Sequence, residues 1–394
     1  VTTNPHPGGA HAILPTDADQ ALLVGRVWDP ETGGPRPVRV RGEDVHDLFD
    51  VAPTVAGLLE RDDAATVVAG TTGDSRWRLT DLVEASLART QDRPHLLAPL
   101  DLQVVKACGV TFVDSMIERV IEERSAGDPA RARQVRETLA ASLHAEIDTI
   151  EPGSEAAARV KEVFLAEGLW SQYLEVGLGP DPEVFTKAPV LSSVGYGAQV
   201  GIPAFSSWNN PEPELVLVVD SRGRVRGCTL GNDVNLRDVE GRSALLLGMA
   251  KDNNASSAIG PFIRLFDDAF TVDTVRTERI TLRVEGAEDC YVLEDENNVA
   301  RLSRSFERLV EATSGDHHQY PDGFALYTGT LFAPTQDRGV PGLGFTHKIG
   351  DRVTIASPHL GTLTNEVAPT DSLPRWEFGI RSLVDYLHRS LRST

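Results

Sequence analysis

Glu212 and Glu214 stand two residues apart in the stretch NNPEPELVLVVDSRGRVRGCTLGND, which ends on Asp233. In an extended chain residues i and i+2 share a face, so the two glutamates point the same way. DSRGR is a turn signal between two β-rich runs. A hairpin turning about Arg222–Gly223 sets Asp233 directly across from Glu212. Three carboxylates then converge at the hairpin mouth, where they repel one another until a hard cation with oxygen ligands neutralises them. Glu-x-Glu by itself more often marks the solvated face of a strand. The register with Asp233, together with the boxes downstream, turns the reading towards metal ligation.

Other chemistry-bearing residues are less organised. His317 and His318 are adjacent in GDHHQYPDG; neighbours in a strand point to opposite faces, so they lack metal-ligand spacing. Ser207, Ser256 and Ser257 sit in no GxSxG elbow. GYGAQVG does not follow a clear strand and open a helix, which argues against a dinucleotide site. Cys108, Cys228 and Cys290 are odd in number and contain no CxxC, a pattern expected of buried free thiols in a reducing compartment.

The elements that must position these residues fall into four segments. Residues 1–16 read as a flexible tail. Residues 17–98 read as a small α+β amino-terminal domain, with a hairpin from ALLVGRVWD through ETGG to PVRVRG and short helices at TVAGLLE and WRLTDLVEASLA. Residues 99–181 carry helical periodicity, including Met116, Ile117, Val120 and Ile121 in FVDSMIERVIEERSAG, with Asp128 and Ser154 as helix starts. Residues 182–394 hold short strands punctuated by Gly, Pro, Asn and Asp, a mainly β pattern of barrel or sandwich type, and end in the amphipathic WEFGIRSLVDYLHRSLR.

Composition bounds the partners. The chain has 394 residues, long enough for a large core and more than one domain. A net charge of −20 argues against nucleic acid or an anionic membrane as the main partner. No apolar run is long enough to span a bilayer and the opening lacks a signal-peptide pattern, so a cytoplasmic protein is expected.

EPEL, GNDVNLRD, AKDNNASSAIGP, ALYTGT and GDRVTIASPHLGTLTNEV follow one another in fixed order across the last 210 residues or so. This series resembles the fumarylacetoacetate hydrolase family. The resemblance implies an α+β fold whose catalytic part is a mainly β mixed β-roll, with Mg²⁺ or Mn²⁺ held by Glu212, Glu214 and Asp233. It implies that Lys251 is the active-site lysine, that Lys187 in VFTKAP is a second site lysine, and that Thr330 of the TGT turn faces a substrate carboxylate. Members of the family are usually dimers, so a homodimer or larger homo-oligomer is expected.

The helical segment departs from the family pattern. Hydrolases of the family carry a lid with a His and then a Glu as an acid–base dyad. Aligning Phe112 of GVTFVDSMIER on the lid aromatic gives Glu118 as the glutamate but Ser115 in the histidine position. The subgroup most similar in style, with SSVGYGA, WNNPEPE and HQYPDGF, dehydrates 2-keto-3-deoxy sugar acids. The reading is therefore a Mg²⁺-dependent lyase acting on a 2-keto-3-deoxy-pentonate. Lys251 is base or enolate-stabilising cation, Glu118 is acid (or the two roles are exchanged), and Ser115, Lys187 and Thr330 bind substrate. Lys251 can be a base only if its pKa is lowered towards neutrality. The alternatives are a C–C hydrolase or decarboxylase of the same family and a non-catalytic, metal-dependent 2-keto-acid binder.

Overall fold

The computed structural model describes residues 10–72, 74–136, 150–332, 334–339 and 343–392. Most of the expected tail and the end of the helix starting after Asp128 lie outside them. From Ala10 onward the opening is packed: Ala10–Ile13 is a 3-10 turn, Ile13 is fully buried, and Thr16 N–H donates to Pro358 C=O at 2.8 Å. This corrects the expectation of a loose end there, because Ile13 and Leu14 supply apolar surface that composition alone hides.

Among the described residues the strands form an eleven-stranded sheet, a five-stranded sheet and a two-stranded ribbon, with no closed barrel. The hairpin strands Pro213–Val219 and Val225–Asp233 lie in the middle of the large sheet, flanked by Phe324–Tyr327 and Ser257–Leu265. Leu23–Asp29, from the amino-terminal hairpin, pairs with Ser257–Leu265 and so joins the same sheet. On the other side Phe324–Tyr327 runs parallel to Val104–Gly109, which pairs with Glu183–Ala188 at the edge.

Alternation along ELVLVV feeds two cores. Leu215, Leu217 and Val219 belong to the cluster shared with Leu282, Ile355 and Leu363 of the five-stranded sheet. Val216 and Val218 face the opposite cluster, with Leu48, Val55, Leu58 and Leu59 of the amino-terminal section. Glu212 and Glu214 continue that second face beyond the apolar run. Burial of the strand on both sides makes its position costly to change, about 2–5 kcal/mol for a Leu→Ala cavity.

The expected register holds, but the turn that produces it differs. Asp220 N–H donates to Arg224 C=O at 3.0 Å, closing a loop over Ser221, Arg222 and Gly223, with Gly223 at φ +75°. A β-bulge between Val218 and Val219 then absorbs Arg226 and restores the pairs Glu214↔Gly231 and Pro213↔Asn232. Asp220 explains the placement: its Oδ1 accepts from the N–H groups of Arg222 and Arg224, both at 3.0 Å.

The helical segment contains Val113–Ser125, capped at its end by Ala126 in the left-handed region, then Glu155–Ala166 and Gln172–Leu178. Ser154 accepts from Ala157 N–H and starts the second of these. The last helix, Ile380–Ser390, begins later than the periodicity suggests, with Gly379 as its extended N-cap. No helix among the described residues is long and apolar enough to cross a membrane. Cys108 and Cys228 are buried free thiols, whereas Cys290 is exposed, contrary to the uniform burial expected of the three.

Candidate active site

The carboxylates of Glu212, Glu214 and Asp233 each offer an oxygen, and these oxygens lie within 4.8 Å of one another, all buried. The hairpin register makes this geometry: Asp233 N–H donates to Glu212 C=O at 3.0 Å, and Asn232 Oδ1 accepts from Glu212 N–H at 3.1 Å. Glu214 is fixed from the next strand, where Gly329 N–H donates to Oε2 at 2.7 Å and Thr330 Oγ1 to Oε1 at 3.2 Å. Thr330 is thus committed to Glu214 through the TGT turn.

Two lysines and an arginine surround the acids. Lys251, at the end of helix Leu247–Lys251, donates to Glu212 Oε2 and lies 3.2 Å from Asp233 Oδ2. Lys187, on the edge strand Glu183–Ala188, is fully buried and stands 2.7 Å from Asp233 Oδ1, with Val234 C=O at 3.1 Å and Ser256 Oγ at 3.3 Å. Its Nζ also donates to Lys251 C=O, so it ties the metal strand to the lysine-bearing helix. Arg119, on Val113–Ser125, bridges three buried glutamates: Glu212, Glu122 at 2.5 Å and Glu240 at 3.1 Å.

These contacts set the protonation states. Burial pushes the Glu212 carboxyl up, but Lys251 and Arg119 outweigh it and bring the pKa down to about 2. Glu214 lies well above the ordinary carboxylate range, through burial and the charges of Asp233 and Glu212. Burial works to lower Lys251, yet Asp233, Glu212 and Glu240 more than offset it and hold the ammonium above its usual pKa. With no cation on these carboxylates, Lys251 is held as the ammonium. Of these two lysines Lys187 is the one whose pKa is lowered, through burial, with Lys251 adding repulsion against the pull of Asp233.

The neutralised state favoured at Glu214 marks a local deficit of positive charge. A divalent cation supplies that charge, and an all-oxygen, all-carboxylate donor set suits a hard ion. Glu212, Glu214 and Asp233 therefore fit Mg²⁺ or Mn²⁺.

Two of the residues read from the lid are not brought into this cluster. Glu118 is gripped by Arg136 at 3.0 and 2.6 Å, with Arg237 at 3.4 Å. Ser115 is buried and its hydroxyl donates to Phe112 C=O at 3.1 Å, one turn back on its own helix. A helix turns about 100° per residue, so the neighbour of Glu118, Arg119, is the one that reaches the carboxylates. Arg237 is buried among Glu122 at 2.7 Å, Pro334 C=O at 3.1 Å and the Trp208 ring, a structural setting. His317 and His318 are exposed.

Glu183 is the residue that sequence reasoning missed. It opens the strand that carries Lys187, half-buried, and its carboxyl is pushed up to about 7 by burial and by Glu240, with Arg119 and Lys251 pulling the other way. The available signal was spacing: Glu183 and Lys187 are four apart on one strand, hence on the same face. Arg119 and Glu240 had no such signal, since charged helix residues usually face solvent.

The chain matches known proteins over this region. Residues 166–368, just over half of the chain, fit the family described as Fumarylacetoacetate (FAA) hydrolase C-terminal. A 2-dehydro-3-deoxy-D-arabinonate dehydratase of Saccharolobus solfataricus is 33% identical over 186 residues, 47% of this chain and 58% of that protein, so the match spans little more than half of that relative's length. A Haloferax volcanii protein named "Probable 2-keto-3-deoxyxylonate dehydratase" is 29% identical over 273 residues, 62% of this chain and 88% of that protein. The fold resembles a solved 2-keto-3-deoxy-D-arabinonate dehydratase complexed with magnesium and 2,5-dioxopentanoate, with TM-score 0.61, 22% identity and coverage of 88% of this chain and 99% of that one. On the extent of the family match, the chain belongs to the fumarylacetoacetate (FAA) hydrolase family.

Proposed function

We propose that this protein is a divalent-cation-dependent hydro-lyase that removes water from a 2-keto-3-deoxy-pentonate, xylonate or arabinonate, to give α-ketoglutarate semialdehyde. The observation that carries the reading is an all-carboxylate cation site together with a separate carboxyl, Glu183, that feels the charges of Arg119, Lys251 and Glu212 and is pushed up to about 7 by burial and Glu240. The names of the two relatives support the same substrate class.

Bound at Glu212, Glu214 and Asp233, the cation would supply a Lewis acid for the carboxylate and carbonyl of a 2-keto acid. The residues of the chain do the rest. Elimination removes a proton from C3 and returns one to the departing C4 hydroxyl. Glu183, with a pKa of about 7, is suited to both transfers, because a group near the working pH gives up and accepts protons with similar ease. Lys251, set against Glu212 and Asp233, is placed to stabilise negative charge developing at the C2 oxygen. Arg119 and Lys187 hold Glu212 and Asp233 in place. Loss of water leaves an unsaturated 2-keto acid, and tautomerisation moves the oxidation level to C5 as the aldehyde.

This assignment moves the acid role from Glu118, which is occupied by Arg136 and Arg237, to Glu183. The sequence alignment that sets Ser115 against the lid histidine is the remaining argument against carbonyl hydrolysis. The test is incubation of the Mg²⁺-loaded protein with each epimer and product identification by NMR. α-Ketoglutarate semialdehyde is the expected product. Turnover of an acylpyruvate or oxaloacetate, with neither epimer consumed, removes the dehydratase reading, and binding of the sugar acids with no change in them makes the protein a binder.

A further inference from the structure

A cavity of about 210 Å³, lined by none of the three carboxylates, lies between strand Leu23–Asp29, strand His95–Leu97, the end of helix Leu79–Ala88, the loop 191–198 and the segment 376–378. Arg26 lines it. This guanidinium is 6% exposed, and its Nε and Nη1 are buried with no hydrogen-bond partner. The other buried arginines are treated differently. Arg36, Arg119, Arg237, Arg264 and Arg338 pair with carboxylates, while Arg39 and Arg304 donate to backbone carbonyls. A buried cation without a partner is destabilising, a cost the fold bears at Arg26 and avoids at these other sites.

Among the described residues no carboxylate pairs with it. Asp101 is the carboxylate whose charge reaches Arg26, but its oxygens accept from the N–H groups of Val55, Ala56 and Leu102 at 2.5, 2.9 and 2.8 Å. Among the described residues no Asp or Glu lines the cavity, although the chain carries a net charge of −20. Arg89, a second cation at the wall, pairs with Glu366 at 3.3 Å. The remaining walls are largely flat carbon surface. Trp28 and Phe378 meet edge to face at 5.2 Å, with Tyr196 and Trp376 beside them.

We propose that this cavity binds a small organic monocarboxylate with a flat apolar body, its carboxylate on the Arg26 guanidinium and its body against Trp28, Tyr196 and Phe378. A guanidinium attracts a carboxylate strongly, and an anion seated against Arg26 supplies the counter-charge that this buried cation lacks. The volume equals that of about seven liquid waters, enough for a ligand the size of benzoate. Inorganic phosphate shares the charge but leaves the aromatic walls uncovered.

The experiment is calorimetric titration of the EDTA-treated full chain with benzoate and, separately, with inorganic phosphate, in the parent, Arg26→Met and Arg26→Lys. Saturable benzoate binding is expected in the parent, at least tenfold weaker in Arg26→Lys, and abolished in Arg26→Met. Without ligand, Arg26→Met should melt no lower than the parent, because it removes an unpaired buried charge. Absence of saturable benzoate binding, binding that survives in Arg26→Met, or tighter binding of phosphate than of benzoate would each overturn the proposal.

Discussion

Glu183 faces Gly109 across an antiparallel strand pair, and a Cβ at Gly109 would stand 1.9 Å from Glu183 Oε2. The glycine makes room for the carboxylate, which lies back over the neighbouring strand. A backbone position far from the metal ligands in sequence thereby sets where the near-neutral carboxyl sits.

Gly109→Ala should therefore act through Glu183. The displaced carboxylate is expected to lower kcat by about 10²-fold, in line with the loss of a positioned proton carrier, with the cation affinity unchanged. Steady-state kinetics beside Mg²⁺ titration checks this. An alanine variant with full kcat would show that the Glu183 position does not matter to turnover.

Glu183→Gln should reduce kcat by about 10²- to 10⁴-fold and leave a signature in stability. In the fold Glu183 keeps its proton up to about 7, against an ordinary value of 4.5. The native state therefore holds the proton through that window while the unfolded chain releases it, so the parent loses stability relative to the Gln variant as pH rises from 4.5 to 7. Urea midpoints for the two proteins should agree at pH 4 and separate above pH 7. A constant difference across the range would refute the raised pKa.

Removal of the cation with EDTA should abolish turnover, and Mg²⁺ should restore it. At a Mg²⁺ concentration 100 times its Kd, the protein should gain about 2.7 kcal/mol of stability by linkage. Glu212→Gln should lose that gain and the activity together. If melting temperature is indifferent to Mg²⁺ in the parent, the three carboxylates do not hold the ion.

Arg119→Met leaves Glu122, Glu212 and Glu240 without their shared cation in a buried site. Breaking one partner of a buried ionic network costs about 3–5 kcal/mol, and Arg119→Lys should recover only part of it because one ammonium cannot fork among three carboxylates. Denaturant unfolding of both variants measures the difference. Equal stability of parent and Met variant would mean that these glutamates find other cations.

The sequence by itself determined the three-carboxylate hairpin. Strand alternation has a fixed period and turn residues act over a few positions, so the facing of Glu212, Glu214 and Asp233 follows from local rules even though Asp220 and a bulge, rather than a two-residue turn, produce the register. The order of the boxes likewise carried the family. What surrounds the acids was decided only in three dimensions. Arg119 and Glu212 are 93 residues apart, and Lys187 meets the backbone of Lys251 across 64. Whether Glu118 or Arg119 turns inward depends on a rotation of about 100° that no spacing fixes on a helix charged on several sides. The protonation of Lys251 and Glu183 was not legible either, because a pKa is set by desolvation and by charges that the fold brings near, and neither exists until the chain has closed around them.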